Sequence, residues 1–136
     1  MTRPVTGLLI DPVAKAIGPV VVDPSNVAEL YLVLGCEVVE FVPLGEDNFL
    51  YADEEGLIKD KPGPFFQIDH FAPVSGRAIV FGIDRRSGKT TSPTLRIGDL
   101  WGMISFPDIE FTGMRTESDV GSITITPVFK EKGPRP

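Results

Sequence analysis

Glycine or proline occupies 27 of the 136 positions, spread along the whole chain rather than gathered in one tract. In a helix interior, glycine costs about 1 kcal/mol and proline about 3 kcal/mol relative to alanine. A chain punctuated this often is therefore restricted to short elements joined by turns, and long helices are excluded. The 42% apolar share still supplies a core, since a chain of this size buries about two thirds of the surface its unfolded form exposes. The expectation is one domain over residues 1–129 followed by a flexible tail over 130–136.

Local chemistry places the elements. Val5–Ile10 reads as a strand, Asp11-Pro12 as the turn that ends it, and Ile17–Val22 as its hairpin partner. Pro24–Leu34 reads as the principal helix. Asp23 suits the N-cap, Pro24 the first helical position and Gly35 the stop, while Val27, Leu30, Tyr31 and Leu34 share one face. Cys36–Val42 and Phe49–Ala52 read as strands around a turn at Gly45–Asn48, with Leu57-Ile58 a short return. Phe65–Phe71 is expected to be extended. Arg77–Ile83 is apolar on both faces and belongs at the centre of a sheet. Ile97–Phe106 reads as a short helix begun by Asp99, and Ser122–Thr126 alternates as a half-buried strand does. The fold class expected is α+β: a small mixed or antiparallel sheet with one principal helix packed on one face.

Motifs that carry chemistry are scarce. Cys36 is the one cysteine and His70 the one histidine, so neither an intramolecular disulfide nor a Cys- or His-pair zinc site can form. No metal and no cofactor is expected. A cytoplasmic location is expected, because no stretch reads as a signal peptide or a membrane span. The segment Gly82-Ile83-Asp84-Arg85-Arg86-Ser87-Gly88-Lys89-Thr90 resembles a phosphate-binding loop. It has five residues before Gly-Lys-Thr where that loop has four, and Thr91-Ser92-Pro93 follows in place of a helix. It reads as a hairpin tip with Gly88 at positive φ, and Arg85, Arg86 and Lys89 as a candidate anion-binding site, with Arg77 or Arg96 nearby.

His70 beside Asp69 on a strand would point to the opposite face, which spoils a base with its orienting carboxylate. Cys36, opening an apolar strand, reads as a buried and unreactive thiol rather than a nucleophile based on His70. Asp53, Glu54 and Glu55 lack the spacing of a calcium loop, and Glu37 and Glu40 would lie on opposite strand faces. Trp101, Phe65, Phe66 and Phe71 read as core. No catalytic residue is assigned.

Charge is divided unevenly. The net charge is −6, which argues against nucleic acid as a partner. Residues 1–56 carry ten acidic and two basic side chains, and residues 57–107 carry four and seven. That asymmetry allows docking on another protein, or a homodimer that uses the Ser122–Thr126 edge.

Four strings, GLLIDP at Gly7–Pro12, LGCEVVEFVPLG, NFLYADEEGL and SGRAIVFGID, resemble the family called domain of unknown function 3846, over about residues 5–84. The family comprises small proteins of bacteria, phages and plasmids with no assigned activity. The resemblance implies an accessory protein of a mobile element and brings no catalytic residue. Two functions are therefore expected: a non-enzymatic protein-binding factor, or a nucleotide- or nucleic-acid-binding protein that uses the basic hairpin tip.

Overall fold

The computed structural model describes residues 4–59, 62–69 and 71–132. Among them the chain order is β1 (Val5–Asp11), β2 (Ala16–Val22), α1 (Val27–Leu34), β3 (Val39–Gly45), β4 (Asn48–Asp53), β5 (Phe65–Ile68) and β6 (Val74–Ser75). There follow β7 (Ala78–Ile83), β8 (Thr90–Thr91), α2 (Ile97–Met103), β9 (Ile104–Ser105), β10 (Ile109–Asp119) and β11 (Ser122–Glu131).

The central sheet runs β2-β1-β7-β4-β3, every pair antiparallel, and β8 extends the β1 side of β7. The first hairpin forms as expected, its turn held by the Asp11 carboxylate, which accepts the N–H of Val13 at 3.0 Å. β7 lies at the centre, and its alternation feeds two cores. Ile79 and Phe81 pack with Val22, Leu30, Leu34 and Cys36 under α1. Ala78 and Val80 pack on the opposite face with Ile10, Leu50, Phe66, Ile68 and Leu100, under α2 and the small sheet β6-β5-β9.

The expected α+β class is overturned: 51% of the described residues are strand and 12% helix, in three sheets with two short helices. One reason is local. Asp23 does not cap the principal helix, because its carboxylate accepts the N–H and hydroxyl of Ser25 at 3.0 and 2.6 Å. The chain spends Pro24 and Ser25 on a turn, and Asn26 becomes the cap by accepting the Glu29 N–H at 3.2 Å. Gly35 ends α1 as expected, left-handed at φ 68°, its N–H donating to Tyr31 O at 2.8 Å. Cys36 donates to the same carbonyl at 3.1 Å, so it belongs to the helix stop and not to a strand. Leu57-Ile58 is turn rather than strand. Phe65 and Phe66 are core, whereas Phe71 and Trp101 are exposed.

The larger reason is β10 and β11, a two-stranded ribbon of which only Ser122–Thr126 shows in the sequence pattern. Its ladder pairs Ile109 with Glu131 and Asp119 with Ser122, interrupted by a bulge between Phe111 and Gly113. Ser122–Thr126 is thus a strand, but an exposed one rather than half-buried. Lys130 and Glu131 belong to β11, so the tail expected from residue 130 does not begin there; residues 133–136 lie outside the described ones. At the ribbon's base Phe129 meets the buried Phe65 edge-on at 5.4 Å and Phe111 at 5.7 Å.

Candidate functional site

The basic tip forms as the hairpin turn between β7 and β8. Asp84 and Lys89 close it, the Asp84 N–H donating to Lys89 O at 2.9 Å, and Gly88 sits at φ 72°. A strand follows Lys89, not a helix, so no helix N-terminus is aimed at a phosphate. The three cations do not converge. Arg85 is paired with Asp47 and borders a shallow hollow with Glu46. Lys89 borders a different hollow, of about 750 Å³, together with Asp23 and Asp84. Arg86 and Lys89 make no ion pair among the described residues. Arg77 lies elsewhere, 3.9 Å from Asp11 and donating to Val33 O, and Arg96 is the N-cap of α2.

A more elaborate arrangement lies at the C-terminal end of α1. A hollow of about 800 Å³ is bounded by Tyr31 and Leu32 of α1, by Cys36 and Glu37 after the helix stop, and by Asp53, Glu55, Ile58 and Lys59 beyond β4. Asp53 is buried and its carboxylate is fully engaged. One oxygen accepts the Glu55 N–H at 2.9 Å and the other pairs with the Lys59 ammonium. Lys59 also donates to Gly35 O at 3.2 Å, placing a cation on the last carbonyls of α1. The hydrogen bond that Lys59 donates to the Asp53 carboxylate holds the Lys59 pKa above its ordinary value. Burial, then the Asp53 carboxylate, push the Cys36 thiol up as well.

The thiol and the ammonium are both held towards their protonated forms. A thiol held in its protonated form is a poor nucleophile, and an ammonium held by a carboxylate is a poor base. His70, the one histidine, lies outside the described residues. Among the described residues no group of three His, Cys, Asp or Glu side chains is placed to hold a metal ion, and no helix is long and apolar enough to cross a membrane. The hollow is also lined by apolar side chains. Leu32 and Ile58 stand 81% and 72% exposed on its walls, beside three carboxylates and one neutralised lysine. Sequence reasoning missed this arrangement because its members come from a helix with its stop and from a turn, and the β3–β4 hairpin separates the two in sequence. The one available signal was Leu32, an apolar residue off the buried helix stripe. Glu37 and Glu40 border different hollows, but not as opposite faces of one strand, because β3 begins only at Val39.

The chain matches no protein-family model, no curated protein and no solved structure.

Proposed function

We propose that the chain is a non-enzymatic accessory factor, of the phage and plasmid kind that its sequence resembles, and that it binds another protein through the hollow beside α1. The supporting observation is the exposure of Leu32 and Ile58 on the walls of a concave acidic surface whose nucleophile and base are both disarmed. Apolar side chains left in water beside a hollow mark a contact surface. Glu37, Asp53 and Glu55 outnumber Lys59, so the surface selects an apolar side chain flanked by lysine or arginine. The partner is therefore a protein that presents a basic amphipathic segment.

The alternative, nucleotide or nucleic-acid binding at the hairpin tip, needs Arg85, Arg86 and Lys89 on one ligand. Asp47 neutralises the first, and Lys89 borders a different hollow beside Asp84. Fluorescence anisotropy separates the readings. A labelled peptide alternating leucine and lysine should bind saturably, its glutamate counterpart should not, and L32S/I58S should weaken binding at least about tenfold, or 1.4 kcal/mol. Equal binding of both peptides, or no effect of the double variant, would overturn the proposal.

A further inference from the structure

The ribbon has two faces of opposite character. Directly opposed residues of an antiparallel ladder point the same way, and successive residues alternate. The register beyond the bulge therefore puts Met114, Thr116 and Ser118 of β10 on one face with Pro127, Ile125 and Ile123 of β11. That face carries no charge. The other carries Arg115, Glu117 and Asp119, with Arg115 and Glu117 3.6 Å apart. By the alternation of β11, Phe129 lies on the uncharged face, and there it packs on Phe65 of the body. The same face is thus covered at its base and bare further out, where Ile123 and Ile125 are 71% and 64% exposed. Val120, at the turn, is 99% exposed.

A second feature sits at the ribbon's root. Met114 borders the hollow of about 350 Å³ that Glu40 also lines, a slot whose apolar walls include Val42, Leu44, Phe71 and Val74, with Asp53 and Glu54 at the 53–58 turn. Six residues of each strand at about 3.4 Å make the bare face about 20 Å long. That is the distance from the tip to Met114. If two ribbons lie face to face and antiparallel, each tip reaches the other's root.

We propose that this arm and this slot belong to a reciprocal dimer, in which the uncharged face of each ribbon covers that of a second copy and Val120 is seated at the partner's slot. The occupant is a second copy because every chain carries both halves of the contact, so a two-fold closes it completely. The bare face also lacks any charge by which to select a foreign protein, and the charged face stays in water. Two faces about 20 Å long and about 10 Å wide bury less than the roughly 1,200 Å² of a standard interface, so weak association, with a dissociation constant of about 0.1 mM, is expected.

Sedimentation equilibrium of the full chain, from about 1 µM to about 0.3 mM, tests this. The mass should rise from 14.8 kDa towards twice that value, and should do so equally in about 0.1 M and about 1 M NaCl, since salt screens charges and not apolar contact. I123S/I125S and V120S should remain monomeric, while R115Q, altered on the opposite face, should dimerise as the parent does. These positions are exposed, and unchanged circular dichroism and melting would show that the variants fold. A monomer at every concentration, dimerisation untouched by I123S/I125S, or a dimer dissolved by salt would each overturn the proposal.

Discussion

β7 and β11 are both strands flanked by turns, yet they are built for different surroundings. From Ala78 to Phe81 every side chain of β7 is buried, alternate residues feeding the cores on either face of the sheet. From Ser122 to Thr126 every residue of β11 is exposed, although the strand is completely paired with β10. β7 is bonded to strands on both of its edges and β11 on one, and the difference in burial is larger still. A paired strand contributes only about 0.5–1.5 kcal/mol net per hydrogen bond, whereas a fully buried large apolar side chain contributes about 1.5–3 kcal/mol. The body holds itself together. The outer ribbon is ordered by its ladder and by the Phe129–Phe65 contact at its base.

Substitutions should separate the two regions. The largest effect belongs to F81A, which empties the core under α1 and should cost about 3–5 kcal/mol in urea unfolding. N48A should cost less, about 1–3 kcal/mol. The buried Asn48 accepts the Thr94 N–H at 2.9 Å and donates to Gly45 and Glu46 carbonyls, tying the β3–β4 turn to the approach to α2. In the ribbon, I123S/I125S should change the stability of the monomer by no more than about 0.5 kcal/mol. A loss comparable to F81A would show that the ribbon is part of the core after all.

Two smaller effects concern the acidic end of the body. Burial, then Glu54 and Asp53, raise the Glu40 carboxyl above its ordinary value of 4.5. The folded state therefore holds that proton more tightly than the unfolded chain, and stability is lost as pH rises from 4.5 through the raised value. E40Q removes this dependence, so it should melt slightly above the parent at pH 7 and level with it below pH 4.5; the reverse ordering would contradict the assignment. Cys36 should react with a thiol reagent slowly in the native protein and quickly after denaturation, because it is buried and its thiol is held protonated.

Much of the body was legible because its signals are local. Asp11-Pro12 set a turn, Gly35 set a left-handed stop, and the doubly apolar run from Ala78 to Phe81 marked the central strand. The start of α1 was misplaced because Ser25 captured the Asp23 carboxylate and left the cap to Asn26. Of the ribbon, Ser122–Thr126 was read as a strand from its alternation, whereas β10 escaped because from Thr112 to Asp119 its one large apolar residue, Met114, gives periodicity nothing to show. Cys36 was read rightly as buried but on the wrong element, since the helix stop rather than a strand directs it inward. The hollow beside α1 could not be read at all, as no sequence pattern links Leu32 to Ile58.

Hydrogen exchange of backbone amides at two protein concentrations tests the division most directly. Amides of β7 should exchange only through global unfolding, at a rate independent of concentration. Amides of Thr116–Asp119 and Ser122–Thr126 should exchange quickly at about 1 µM and more slowly at about 0.3 mM, as a second copy covers the ribbon. Ribbon amides as protected as those of β7 when dilute, or protection that ignores concentration, would contradict the account.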